Sequence, residues 1–379
     1  VPFVPLAWLF GEIDRTRGLV PPSEALLGLF VFGSLAVLGA RLLPARVPER
    51  VLQVLDRERG PGSKIAGGAV FLLLVLLLVT ATFAFARRPL LIDSVIQWFQ
   101  AQIFASGRLY ADAPPDEAFF AVQHMLVDGS RWYSQYPPGH SVLLGLGAVL
   151  GAGWLVPVGL SVGTSVVLYA FTRRAYDLAT ARTTVVVLAL APFFWFMGAS
   201  HMNHVSALFF VAVFLYLLVL WEGRGSPWIL FGAGLAIGAA FLSRPLTALA
   251  VGIALTPFVL ARAWRERDAG SVLAGAVGAL AMVSLYLAYN AATTGDPLLP
   301  GYIKLWGADH GLGFHSTPWG EMHSLLAGVR NELTDLALLS SLMFEGPVPA
   351  LLPAGLLFAA GWASKEWDQR LMVGFLAIP

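Results

Sequence analysis

Apolar residues fill this chain in long runs separated by short polar breaks. A membrane-spanning helix needs about 20 mostly apolar residues. Runs of that kind cover 65–86, 183–200, 204–221, 228–243, 246–261, 271–289 and 347–363, with a shorter one over 25–40. Residues 1–10 and 371–379 read as pieces of further helices, so the pattern predicts a longer natural polypeptide. The stretch 138–173 is apolar throughout. Its punctuation predicts a short helix after Pro137-Pro138, a break near Gly151–Gly153, and a full span ending at Arg173-Arg174. Residues 91–110 alternate differently. Ile92, Val95, Ile96, Phe99, Ile103 and Phe104 recur at helical spacing with Gln97, Gln100 and Gln102 between them, which predicts a surface helix stopped by Gly107.

Charge orients these spans. The loops 41–64, 173–182, 222–224, 262–267 and 365–370 hold 15 Lys and Arg; the alternate set, 86–140, 200–204, 243–245 and 290–345, holds 7 over a greater length. The first set is therefore read as cytoplasmic and the long loops 86–140 and 290–345 as outward. Residues 1–64 form an N-terminal helix and a cytoplasmic amphipathic segment; residues 65–379 form the transmembrane domain. All seven His fall in outward loops or at outward helix ends, an observation independent of the charge count. Small-residue pairs Gly147/Gly151, Gly159/Gly163 and Gly234/Gly238 predict close helix contacts.

Composition narrows the class. The chain is 57% hydrophobic and 12% charged, against about 25% charged in an average soluble domain. A net charge of +1 gives no basic face for nucleic acid, and the absence of Cys removes disulfides and thiol chemistry. Arg outnumbers Lys 21 to 3, read as the bias of a GC-rich bacterial genome. The fold class is an all-α polytopic membrane protein.

Chemistry concentrates at the outward ends. Asp93 opens the surface helix, where a carboxylate serves as an N-cap or as a functional group. Trp132, Tyr133 and Tyr136 suit an interfacial aromatic belt, and His140 follows Pro137-Pro138 at or below the interface, where a His needs a partner. His201, Asn203 and His204 crowd a tight turn; they read as a polar cluster facing a cavity, a solvated turn, or two ligands of a divalent metal. Arg244 lies between two helices, where its fork can take phosphate oxygens or helix-end carbonyls. Residues 289–324 are dense in Gly, Pro, aromatics and His, a mixture that suits sugar stacking; within them Lys304 can meet a phosphate as a point charge, and Glu321 and His323 can contact sugar or acceptor.

An Asp after the first core helix, a surface helix ending in Gly-Arg-Leu-Tyr, and Tyr-Pro-Pro-Gly-His opening the second helix together resemble the GT-C superfamily of membrane glycosyltransferases. The protein mannosyltransferase and lipid A aminoarabinose transferase types are the nearest in pattern, over roughly 65–345. The resemblance implies a GT-C-like helix bundle with a long first extracytoplasmic loop carrying surface helices. It implies a polyprenyl-phosphate sugar donor, a lipid, glycan or protein acceptor, and an inverting transfer at the outer face of a bacterial inner membrane. Asp93 takes the place of the acidic residue that orients or deprotonates the acceptor; Ser94 stands where the family often has a second acid. Arg244, Lys304, His140, His204 and Asn203 then become donor or phosphate contacts, and Gln97, Tyr136, His201, Glu321 and His323 acceptor or sugar contacts. No cofactor is required by this chemistry, and a divalent metal stays open. Two other readings remain: a secondary transporter, and a catalytically silent subunit of a membrane assembly.

Overall fold

The computed structural model describes residues 64–317, 320 and 322–343. The runs at 1–10, 25–40, 41–63, 347–363 and 371–379, and Glu321, lie outside the described residues. What is described falls into two compact units: 64–190 with 194–311, and 191–193 with 312–343.

The larger unit is a helix bundle. Helix α1 (Lys64–Val79) continues through a π-helical turn, Thr80–Ala84. Ala86 and Arg87 then adopt positive φ, 50° and 59°, and the Arg87 guanidinium sits 4.7 Å over the Trp154 ring. Helix α2 (Ile92–Ala105) follows and stops before Gly107, whose φ of 77° suits a residue without Cβ. Three short strands come next: β1 (Ala111–Asp112), β2 (Met125–Asp128) and β3 (Arg131–Ser134), in antiparallel order β1-β3-β2. Gly129, at φ 62°, makes the two-residue turn that pairs Asp128 with Arg131. Helices α3 (Pro138–Val149) and α4 (Leu155–Ala175) match the short helix, break and span read from the sequence.

The predicted span 183–200 is broken. Helix α5 (Leu178–Leu190) and helix α6 (Pro192–Ala199) meet at 68°, because Pro192 cannot continue a helix it did not begin. Helices α7 (His204–Arg224), α8 (Pro227–Ser243), α9 (Pro245–Glu266) and α10 (Ala269–Thr294) then run back and forth. Proline at the first helical position starts α3, α8 and α9, and Gly225 and Gly295 in left-handed conformation end α7 and α10. Helix α11 (Gly301–Trp306) closes the unit, and α12 (Leu325–Leu342) belongs to the other. Five helices among the described residues are long and apolar enough to cross a membrane: α1 with its π turn, α4, α7, α9 and α10. This is the all-α polytopic architecture expected, with a small sheet on one loop.

Glycines set the tightest contact. A Cβ on Gly238 would meet Met282 Cβ at 2.6 Å, and Cβ atoms on Gly234 and Gly278 would run into the backbone of the facing helix, so α8 and α10 touch almost backbone to backbone. Gly163 makes room for the Phe209 ring. The expectation fails at two positions. Gly151 has φ 67° and serves the turn, and Gly159 faces nothing within 4 Å.

Basic residues gather at one end. Arg262 donates to the Trp221 carbonyl at 2.9 Å and pairs with Glu266 at 2.7 Å. The opposite end carries Asp93, the sheet, the turn 200–203, the α8–α9 break and α11.

Candidate functional site

Asp93 does not cap its helix. Leu91 is the N-cap residue, and Ser94 Oγ accepts from Leu91 N at 3.2 Å while donating to Leu91 O at 2.8 Å. The position expected to hold a second acid is thus occupied by a helix-capping serine. The Asp93 carboxylate is left for tertiary contact, and Tyr136 Oη donates to its Oδ1. Burial and this bond to a carboxylate push the Tyr136 phenol well above its ordinary range, so it stays a donor.

Two glutamines fix the frame. Gln100 accepts from Ser134 N at 3.0 Å and donates to Leu109 O at 2.9 Å, so α2 holds β3. Gln97 accepts from Ser141 Oγ at 2.6 Å and is fully buried, tying α2 to α3. The aromatic belt expected over 131–136 is instead strand β3 and its exit: Tyr133 is 1% exposed, and the Trp132 ring packs 4.6 Å from Phe99. The signal was present as Gly129-Ser130 between two four-residue runs, Met-Leu-Val-Asp and Arg-Trp-Tyr-Ser.

Tyr-Pro-Pro-Gly-His has a steric logic. Pro137 and Pro138 start α3, and a Cβ at Gly139 would lie 2.7 Å from the Leu242 backbone. Only glycine lets α3 rest on the end of α8. His140, fully buried, then donates Nε2–H to the His201 carbonyl at 3.0 Å. The His201 ring meets Trp98 edge-on at 5.6 Å, and burial lowers its pKa to about 4.

Asn203 bridges to the helix break, donating Nδ2–H to Ser243 O at 3.1 Å and accepting from Arg244 Nη1 at 3.4 Å. Arg244 Nη1 also donates to His204 Nε2, which makes His204 a neutral acceptor with its proton on Nδ1. Arg244 is half-buried, and the charge of Asp93 reaches it and Tyr302. A guanidinium on the second His-x-x-His nitrogen opposes a metal there. Among the described residues, no group of three or more His, Asp or Glu is arranged to hold a metal ion.

Asp93, Tyr136, His140, His201, Asn203, His204 and Arg244 therefore converge at one end of the bundle. Lys304 sits elsewhere in that end, 3.1 Å from Asp128 Oδ2, where it braces α11 against β2. His323 belongs to the other compact unit. Sequence reading singled out the loop 289–324 but not Tyr302 within it, whose ring centroid lies 5.5 Å from that of Tyr136. Its signal was Tyr302 and Trp306 four residues apart after Pro300-Gly301.

A bundle with five helices long and apolar enough to cross a membrane, and with Asp93 within electrostatic reach of Arg244, is consistent with the GT-C type of membrane glycosyltransferase. The family model of dolichyl-phosphate-mannose-protein mannosyltransferases, a GT-C-type family, matches residues 137–289, less than half of the chain. The match runs from α3 through most of α10; it includes His140, His201, Asn203, His204 and Arg244, and leaves Asp93, Tyr136 and Tyr302 outside. No curated protein and no solved structure matches this chain.

Proposed function

We propose that this protein transfers a sugar from a polyprenyl-phosphate donor to an acceptor at the outer face of a bacterial inner membrane, with inversion. The observation that carries this reading is Arg244. It is half-buried at a helix break, oriented by Asn203 and His204, and within electrostatic reach of Asp93. A half-buried guanidinium needs an anion, and the nitrogens of Arg244 that bond nothing among the described residues match phosphate oxygens.

The chemistry follows from charge. The acceptor oxygen or nitrogen attacks the anomeric carbon, the bond from that carbon to the phosphate oxygen breaks, and the lipid phosphate leaves with the electron pair. Asp93 takes the acceptor's proton, and Arg244 stabilises the charge growing on the phosphate. Attack opposite the leaving group inverts the anomeric centre. His204 and Asn203 line the donor side; His140, fully buried and bonded to the His201 carbonyl, supports the turn behind them, and Tyr136, Gln97 and His201 hold the acceptor side in shape. Lys304 is engaged with Asp128, so the phosphate role falls to Arg244.

The test is consumption of labelled polyprenyl-phosphate sugars by membranes carrying the protein. The wild type should consume a donor, and Asp93→Asn should lose at least a hundredfold in rate, on the order of one general base. Equal consumption by both would remove Asp93 from the mechanism. No consumption by the folded wild type would remove the transferase reading.

A further inference from the structure

Beside Asp93 lies a ring cluster of which only Tyr136 has a part in the steps above. Tyr136 and Tyr302 meet edge-on at 5.5 Å, His124 lies 5.8 Å from Tyr136 and 6.1 Å from Trp306, and His310 is stacked on Tyr302 at 5.7 Å. The cluster is built with care. Trp306 Nε1 donates to Gln135 Oε1 at 2.8 Å, and Gln135 Nε2 lies 2.8 Å from His124 Nδ1, so that amide is spent on holding two rings. A Cβ on Gly301 would lie 2.7 Å from the Gln135 carbonyl oxygen, so glycine alone lets α11 seat there. The Lys304–Asp128 pair fixes the same helix to β2.

Two features exceed what packing needs. His124 holds φ at 71°, a conformation that costs a non-glycine residue energy and is retained mainly where position matters. Its Nδ1 accepts from Gln135, which leaves Nε2–H as a donor. Tyr302 Oη makes no hydrogen bond among the described residues, although burial raises its pKa well above the ordinary phenol range. Tyr302, Trp306, His310 and His124 are all half-buried, and Tyr302 and His124 are open enough to be reached. Half-open aromatic faces with a few fixed polar groups suit a ligand carrying a C–H face and a rim of hydroxyls.

We propose that His124, Tyr136, Tyr302, Trp306 and His310 form a saccharide-binding cradle that presents a pyranose ring to Asp93. This rests on the transferase reading for its purpose, though not for its chemistry. The ring comes either from the donor's sugar or from a glycan acceptor.

Saturation-transfer NMR on the full chain, in a detergent without a sugar headgroup, tests it with the methyl glycosides of glucose, galactose, mannose and arabinose. At least one should receive saturation from the wild type and from Asp93→Asn. Trp306→Leu should weaken its binding about tenfold, the scale of one lost aromatic contact. Trp306→Phe should restore most of it, and Trp228→Leu, at the basic end, should bind as wild type does. Absence of any signal from the folded wild type, or unchanged binding by Trp306→Leu, overturns the cradle. Binding without donor turnover by the wild type would instead overturn the transferase reading and leave the cradle standing. In membranes, a KM change for the labelled donor assigns the ring to the donor, and a change only in transfer to a lipid-linked oligosaccharide assigns it to the acceptor.

Discussion

Tyr136 occupies the carboxylate that the proposed reaction needs, so an acceptor hydroxyl must share or displace its bond to Asp93. Tyr136→Phe should therefore fold normally and slow transfer about tenfold through loss of alignment, with donor KM unchanged; a KM effect alone would place Tyr136 on the donor side. Arg244→Lys keeps the charge and loses the fork. It should raise donor KM about tenfold, and Arg244→Lys activity equal to wild type would argue against phosphate contact. His201 carries a stability consequence. Its pKa is about 4 in the folded protein against about 6.5 when unfolded. Between those values the unfolded chain binds the proton and the folded chain does not, so stability falls as pH drops from about 6.5 towards 4. Taking pH from 7 to 5 should cost about 2 kcal/mol through this group, read as a lower melting temperature in detergent, and His201→Asn should flatten that decline.

At the scale of elements, what was legible followed from length and punctuation. Pro137-Pro138, Gly151–Gly153 and Arg173-Arg174 bounded α3 and α4 because proline, glycine and charge act locally on backbone and solvation. Gly107 and the spacing from Ile92 to Phe104 bounded α2 for the same reason. The sheet was missed because its strands are four residues or fewer, too short for a period-two pattern to outweigh aromatic content. Within the site, Asp93, His140, Asn203, His204 and Arg244 were legible because charge at a membrane boundary demands a partner. Tyr302 and His124 were not, since their significance lies in contacts across more than a hundred residues of chain. The α8–α10 contact gives a direct test. Gly238→Leu must drive a side chain into Met282 and separate the helices, and should cost on the order of 3 kcal/mol or prevent folding, measured by thermal denaturation. Gly159→Leu, which faces open space, should cost far less.

The larger unit has two chemically distinct ends, one where α4, α7 and α9 finish on Arg173, Arg174, Arg224 and Arg265, and one carrying the convergent polar groups. The chain contains no cysteine, so single cysteines report sidedness without background. Glu117→Cys should react with a membrane-impermeant maleimide added outside intact cells, and Arg265→Cys only after permeabilisation; the reverse pattern would put the site in the cytoplasm. The site also draws on segments from Asp93 to Tyr302, far apart along the chain. Synthesis proceeds at about 5–20 residues per second, so the carboxylate is made roughly 10–40 seconds before the ring that faces its tyrosine partner. During that interval the nascent protein holds an acid without its cradle. The proposed activity therefore waits for Tyr302, and a polypeptide abandoned before that residue carries no complete site into the membrane.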